Sequence, residues 1–124
     1  MSKYDQNNVF AKIIRGEIPA TKVFEDDDVL AFNDLSALAP VHVLVIPKGE
    51  YVDFADFVTG ESEEKVAKFF KTVAKIAKTL DIDASGYRII SNKGSDASQS
   101  VAHFHVHLLG KKKLGPLIAG DSSH

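Results

Sequence analysis

The chain has 124 residues, 44% apolar and 26% charged, a composition that fits one globular domain over residues 1–124 and excludes a disordered chain. Fifteen basic against seventeen acidic residues leave a formal charge of −2, so no general attraction to nucleic acid or to an anionic membrane is expected. The absence of cysteine excludes disulfides and thiolate zinc sites. Residues 1–6 carry neither the apolar core of a signal peptide nor an Arg-rich transit pattern, and a cytoplasmic location is expected.

In chain order, Asn7 or Asn8 caps a predicted short helix in which Val9, Phe10, Ile13 and Ile14 share one stripe, and Gly16 ends it. Ile18-Pro19 then forces an extended segment. Residues 22–25 and 29–34 read as the strands of a hairpin. Asp26-Asp27-Asp28 between them is a solvated turn, lacking the glycine and distal glutamate of a calcium loop. A loop over 35–40 leads to the most β-branched run, residues 41–46, which begins with Val41-His42 and is closed by Pro47-Lys48-Gly49. A central strand is expected there.

Residues 51–58 fit either a short helix or an irregular cover. Ser62 then caps a long amphipathic helix, with Val66, Phe69, Phe70, Val73, Ile76, Ala77 and Leu80 at helical spacing. Lys65, Lys68, Lys71, Lys75 and Lys78 lie off that stripe, as a solvated face or, alternatively, as a docking face for an acidic protein. Residues 87–92 read as a strand, and the small polar loop 93–100 offers the backbone N–H groups of an anion-holding turn. Lys111-Lys112-Lys113 and an apolar tail over 114–119 end the pattern.

Between that loop and the lysines lies Val101-Ala102-His103-Phe104-His105-Val106-His107-Leu108-Leu109-Gly110, in which three of the five histidines alternate with apolar residues. Alternation predicts a strand with the imidazoles on one face, about 6.7 Å apart, and Ala102, Phe104, Val106 and Leu108 packed on the other. Strands in hairpin and meander order with one long helix between the third and fourth predict an α+β domain, helices on one face of an antiparallel sheet. Spacing leaves three chemistries open for the histidines: a metal site, a nucleophilic imidazole with its helpers, or a polar ladder that binds nothing.

His103-Phe104-His105-Val106-His107-Leu108-Leu109 resembles the His-φ-His-φ-His-φ-φ motif of the histidine-triad (HIT) superfamily of nucleotide hydrolases and transferases. Asn92-Lys93-Gly94-Ser95-Asp96 and Gln99-Ser100-Val101 resemble the loop entering the triad strand in its nucleotide-binding, phosphoramidase branch. The same holds upstream, in the same order, for residues 10–20, Phe24-Glu25-Asp26-Asp27, Leu30-Ala31-Phe32-Asn33-Asp34 and residues 39–48.

The resemblance implies a HIT-like fold, an antiparallel sheet of about five strands with one long and one short helix, continued across a homodimer. It implies metal-free, cofactor-free catalysis on a purine nucleotide of the AMP or GMP type, with His105 as the nucleophile at the α-phosphorus. His103, His107, His42 and Ser100 are then its catalytic neighbours, Ser100 relaying a proton to the leaving amine. Asn92 contacts the phosphate side, and Gln99 is among the substrate-binding residues. Asp34 matches the ribose-binding acid, and Leu35, Phe10, Val9, Ile13, Ile18 and Phe32, with Asn33 beside them, match the purine slot. Read from the residues alone, those apolar side chains are equally well plain core. The alternatives are a dinucleoside polyphosphate hydrolase or a nucleotide-binding interaction module with incidental turnover. The chain departs from relatives at Lys111-Lys112-Lys113, where a second glycine and an arginine are usual, and it lacks the Trp-Pro-Pro tail of eukaryotic members.

Overall fold

A computed structural model describes residues 4–118; His124 and the last residue of the apolar tail, Ala119, lie outside the described residues. The elements are α1 (Val9–Ile14), β1 (Lys22–Glu25), β2 (Val29–Asn33), β3 (Val41–Pro47), α2 (Phe54–Gly60), α3 (Glu63–Thr79), β4 (Tyr87–Ile90) and β5 (Val106–Gly110), with a single 3₁₀ turn, Ser95–Ala97, before β5. Five strands form one sheet in the order β1-β2-β3-β5-β4, every pair antiparallel. This is the expected α+β sheet with the triad strand beside the His42 strand. No described helix is long and apolar enough to cross a membrane.

Local chemistry fixes the helix ends. The Asn8 side chain accepts from the Ala11 N–H at 2.9 Å to start α1. Gly16, at φ +78°, ends it: the Glu17 N–H bonds the Lys12 carbonyl and the Gly16 N–H the Ile13 carbonyl, a Schellman pair that needs the left-handed residue. In the segment left open between helix and cover, Asp53 caps α2 by accepting from the Asp56 N–H, while Asp56 accepts from the Val52 N–H. Ser62 caps α3, with Glu63 and Glu64 in its positive first turn.

The period-2 alternation of the strands sorts side chains onto two faces. Val29, Ala31, Val43, Val45, Val106 and Leu108 face α2 and α3 and form the main core with Phe57, Phe69, Val73, Ile76 and Phe104. Leu30, Phe32, Leu44 and Ile46 face the other way and pack with Phe10 and Ile13 of α1. The expectation of helices on one face is therefore corrected: α1 covers part of the second face. A six-residue helix with three buried side chains cannot stand alone, and the exposed apolar stripe of β2 and β3 gives it a seat.

Three boundaries also differ. The triad strand begins at Val106, not Val101, so His103 and His105 precede the ladder. Continuing the β3–β5 register past Val45↔Val106 would set Pro47 opposite Phe104. Proline has no N–H to give, and the Pro47 carbonyl is taken by the His103 ring. The Phe104 N–H bonds the Tyr51 carbonyl at 2.7 Å instead. Ala102, expected in the core, is exposed on the turn before this departure, whereas Phe104, Val106 and Leu108 are buried as expected. Strand β4 stops at Ile90, leaving Asn92 in the loop, and Asp34 lies one residue beyond β2.

On α3 the lysine face is partly engaged within the chain. Lys68 bridges Asp26 and Asp28 of the β1–β2 turn, and the Lys75 ammonium stands 5.7 Å from the centre of the Phe24 ring.

Candidate active site

Two central strands and the chain entering β5 bring four histidines to the α1 face. His42 and Leu44 on β3 share that face with His107 and Leu109 on β5, through the pairs His42↔Leu109 and Leu44↔His107. Hydrogen bonds then assign each proton, because a backbone N–H can only donate and a carbonyl can only accept.

His103 is fully buried. Its Nε2–H donates to the Pro47 carbonyl at 2.8 Å, so its Nδ1 accepts, from the Tyr4 hydroxyl at 2.6 Å. The His103 carbonyl in turn accepts from Nδ1–H of His105 at 2.7 Å. The proton of neutral His105 is therefore on Nδ1. Nε2 keeps its lone pair and has no hydrogen-bond partner among the described residues. Burial lowers the pKa of His105 below its ordinary value, the bond to the His103 carbonyl opposing it, so this ring is neutral at physiological pH.

A second chain of bonds runs from the 35–40 loop. The Leu38 N–H donates to Nδ1 of His42 at 3.1 Å, and Nε2–H of His42 donates to Nδ1 of His107 at 3.0 Å. His107 must then carry its proton on Nε2, a donor for an anion. Burial, and then the neighbouring His105 and His42, push His107 down to about 4, and burial pushes His103 down to about 4 as well. The His105 and His107 rings meet edge to face, 5.2 Å between centres. A neutral lone pair thus lies beside a neutral N–H donor, the complement an electrophilic phosphoryl group requires.

Phe10 joins this cluster to a neighbouring cleft. Its ring lies edge-on to His105 at 4.9 Å and also lines a cavity of about 160 Å³. All eight residues expected at the nucleoside end line that cavity: Val9, Phe10, Ile13, Ile18, Phe32, Asn33, Asp34 and Leu35. Pro19, Ala20 and Leu44 join them. Leu35 is 97% exposed at the rim, an apolar side chain with nothing yet to cover.

Asp34 stands between cleft and histidines. One carboxylate oxygen accepts from the Ser36 N–H at 2.8 Å, and the other lies 3.4 Å from Nε2 of His42. Donor atoms of Asp34, His42 and His107 lie within 4.8 Å of one another. Both His42 nitrogens are already engaged, so a cation there would have to displace the His42–His107 bond.

The remaining expected residues lie outside the apolar cleft, on the 91–101 loop. Ser100 is exposed and Asn92 half-buried. Gln99 does a different job: its amide donates to the Val52 and Val101 carbonyls, and its carbonyl oxygen accepts from the Gly94 N–H. That clasp ties the loop to the segment before α2 and engages both donors of the Gln99 amide within the chain. Tyr4 was missed by the sequence reading, since one tyrosine ahead of a helix carries no periodic signal.

The HIT domain model matches residues 15–114, most of the chain. The chain belongs to the HIT family. It is 50% identical over 115 residues to a HIT-like protein of Azospirillum brasilense, covering 93% of this chain and 94% of that one. The purine nucleoside phosphoramidase of Escherichia coli is 41% identical over 114 residues, covering 92% and 95%. Among solved structures, a histidine triad protein from Clostridium difficile superposes with a TM-score of 0.81 at 43% identity, covering 95% of this chain and all of that one. The HIT sheet and its helices are therefore shared with relatives well beyond the triad motif.

Proposed function

We propose that the protein is a purine nucleotide hydrolase that cleaves nucleoside 5′-phosphoramidates through a covalent nucleotidyl-histidine on His105, working as a homodimer of single-domain subunits. The observation that carries this reading is the tautomer of His105, with Nδ1–H held by the His103 carbonyl and the Nε2 lone pair free beside His107.

The chemistry follows from that pair. The purine lies in the apolar cleft, its ribose hydroxyls donating to Asp34. The Nε2 lone pair of His105 attacks the α-phosphorus, and the new P–N bond forms as the bond to the leaving amine breaks. The amine departs neutral, taking a proton from solvent by way of the Ser100 hydroxyl. Nε2–H of His107 donates to a phosphate oxygen as charge builds there. The substituted imidazole is cationic, and its Nδ1–H bond to the His103 carbonyl strengthens accordingly. The same positive charge makes the ring a good leaving group when water attacks the phosphorus: the P–N bond breaks onto Nε2, the water gives up a proton to solvent by way of the Ser100 hydroxyl, and the nucleoside monophosphate and neutral His105 are released. Support for the substrate class comes from the phosphoramidase relative and from the coincidence of all eight nucleoside-end residues in one cleft. Support for the dimer comes from β4, an edge strand on which Ile89 is 48% exposed.

His105→Ala tests the reading. The variant is expected to fold and to bind a purine monophosphate, with turnover of an adenosine phosphoramidate lowered by roughly a thousandfold or more. Wild-type turnover in that variant would remove His105 from the chemistry. A panel adding dinucleoside polyphosphates, with sedimentation to give the oligomeric state, separates the phosphoramidate reading from its alternatives.

A further inference from the structure

We infer that Tyr4 is a positioning residue of the triad, whose hydroxyl fixes the ring of His103 and, through the His103 carbonyl, the tautomer of His105. The inference deepens the catalytic reading above and rests on it.

His103 has no exposed surface, so each ring nitrogen needs a partner within the protein. The Pro47 carbonyl bears no proton and fixes the hydrogen on Nε2. Nδ1 is then a buried acceptor, and the Tyr4 hydroxyl, 2.6 Å away, is its one donor among the described residues. The two rings also meet edge to face, with centres 5.6 Å apart and planes at 67°.

Tyr4 lies ninety-nine residues from His103 in the chain, on a segment that is tied down. The Asn8 N–H and side-chain amide both donate to the Asp5 carbonyl, and the Arg15 guanidinium donates to the Gln6 carbonyl at 2.9 Å. The segment ahead of α1 is thereby folded against the end of that helix, with Tyr4 at its start. Phe10, the second residue of α1, then packs edge-on to both His103 and His105.

Removing the hydroxyl leaves His103 two alternatives. Water can enter to serve Nδ1, or the proton can move to Nδ1, setting two lone pairs against each other across the 2.8 Å between Nε2 and the Pro47 oxygen. Either one disturbs the residue whose carbonyl holds Nδ1–H of His105 at 2.7 Å. A weaker hold there lets the His105 proton populate Nε2, and a protonated Nε2 cannot attack phosphorus. The effect therefore falls on the chemical step. Tyr4 is no part of the cleft wall, so nucleotide affinity is unaffected.

Tyr4→Phe keeps the ring and removes only the hydroxyl. Long-range ¹H–¹⁵N spectra of the imidazoles are expected to show His103 in the Nε2–H form with a hydrogen-bonded Nδ1 in the wild type, and a shifted or mixed Nδ1 signal in the variant. The rate of nucleotidyl-histidine formation from an adenosine phosphoramidate is expected to fall about tenfold, while affinity for adenosine monophosphate stays within about twofold. A wild-type rate with an unchanged His103 Nδ1 signal would overturn the inference. Should the variant not fold, the wild-type spectrum decides, because a protonated Nδ1 on His103 contradicts the bond from Tyr4. Should wild-type protein form no nucleotidyl-histidine at all, the catalytic reading fails separately, and the His103 and His105 tautomers in the two proteins still decide what Tyr4 does.

Discussion

On one face of the sheet Val43, Val45, Val106 and Leu108 meet Phe57, Phe69 and Phe104 beneath α2 and α3; on the other, Leu44 packs with the short α1 and lines an open cleft, while His42 and His107 bond each other and the 35–40 loop. The same two strands supply both sets by alternation. The first face is apolar and closed, and its stability comes from area removed from water. The second buries polar rings, which is tolerable because every described side-chain nitrogen or oxygen that is wholly shut off from solvent has a hydrogen-bond partner, while the unpartnered Nε2 of His105 is not so enclosed. The contrast shows how rigidity and reactivity are divided within one ladder: the closed face fixes the backbone, and the open face uses that fixed backbone to assign protons.

Breaking the closed face should cost the most. Phe104 is 1% exposed and stacks 4.9 Å from Phe57, so Phe104→Ala is expected to lower the unfolding free energy by about 3–5 kcal/mol in urea denaturation. A loss below about 1 kcal/mol would show that this residue does not anchor the triad. On the open face the expected damage is to rate instead. His107→Ala should lower kcat roughly a hundredfold, with urea stability nearly unchanged, since it removes a donor aimed at developing charge.

Acid should act on the open face too. His103 and His107 are held at about 4 when folded, below the ordinary 6.5 of an unfolded chain. Between those values the unfolded chain binds more protons, so stability is fully present above pH 6.5 and is lost as pH falls through about 4. The melting temperature at pH 4.5 should lie more than about 5 °C below that at pH 7.5. A flat profile would contradict the buried neutral rings. The acid limb of kcat/KM, set by the lowered pKa of His105, should likewise fall below pH 6.5. The smallest effect expected is specificity: Asp34→Ala should reduce the preference for ribose over deoxyribose by about tenfold, read from kcat/KM on matched substrates.

Much of this division was legible in the sequence, and the failures have physical causes. Alternation through residues 101–110 identified which side chains go to which face, and Phe104, Val106 and Leu108 obeyed it. It could not show that the ladder stops at Val106, because the reason is a partner strand ending in Pro47. The β-branched run of β3 and the capped stripe of α3 announced themselves locally. The seven-residue α2 was only one of two options, since its aromatic run fits an irregular cover as well as a short helix until the Asp53 and Asp56 caps are seen in space.

In the site, the residues expected at the nucleoside end came from family resemblance and line one cleft, while hydropathy alone left them as core. The same resemblance did not reveal the clasp made by Gln99, because a motif position does not show that both ends of the amide are used by backbone. Tyr4 and the Leu38-to-His42-to-His107 proton order were invisible, depending on contacts 4 to 99 residues apart in the chain.

The central claim is that one nitrogen, Nε2 of His105, forms the covalent bond. Wild-type protein mixed with an adenosine phosphoramidate, quenched in alkali within the first turnover and digested, should yield a single nucleotidylated peptide spanning residues 103–110. Fragmentation and ³¹P–¹⁵N coupling should place the phosphorus on Nε2 of His105. Label on His103 or His107, or turnover with no labelled histidine at any time, would contradict the account.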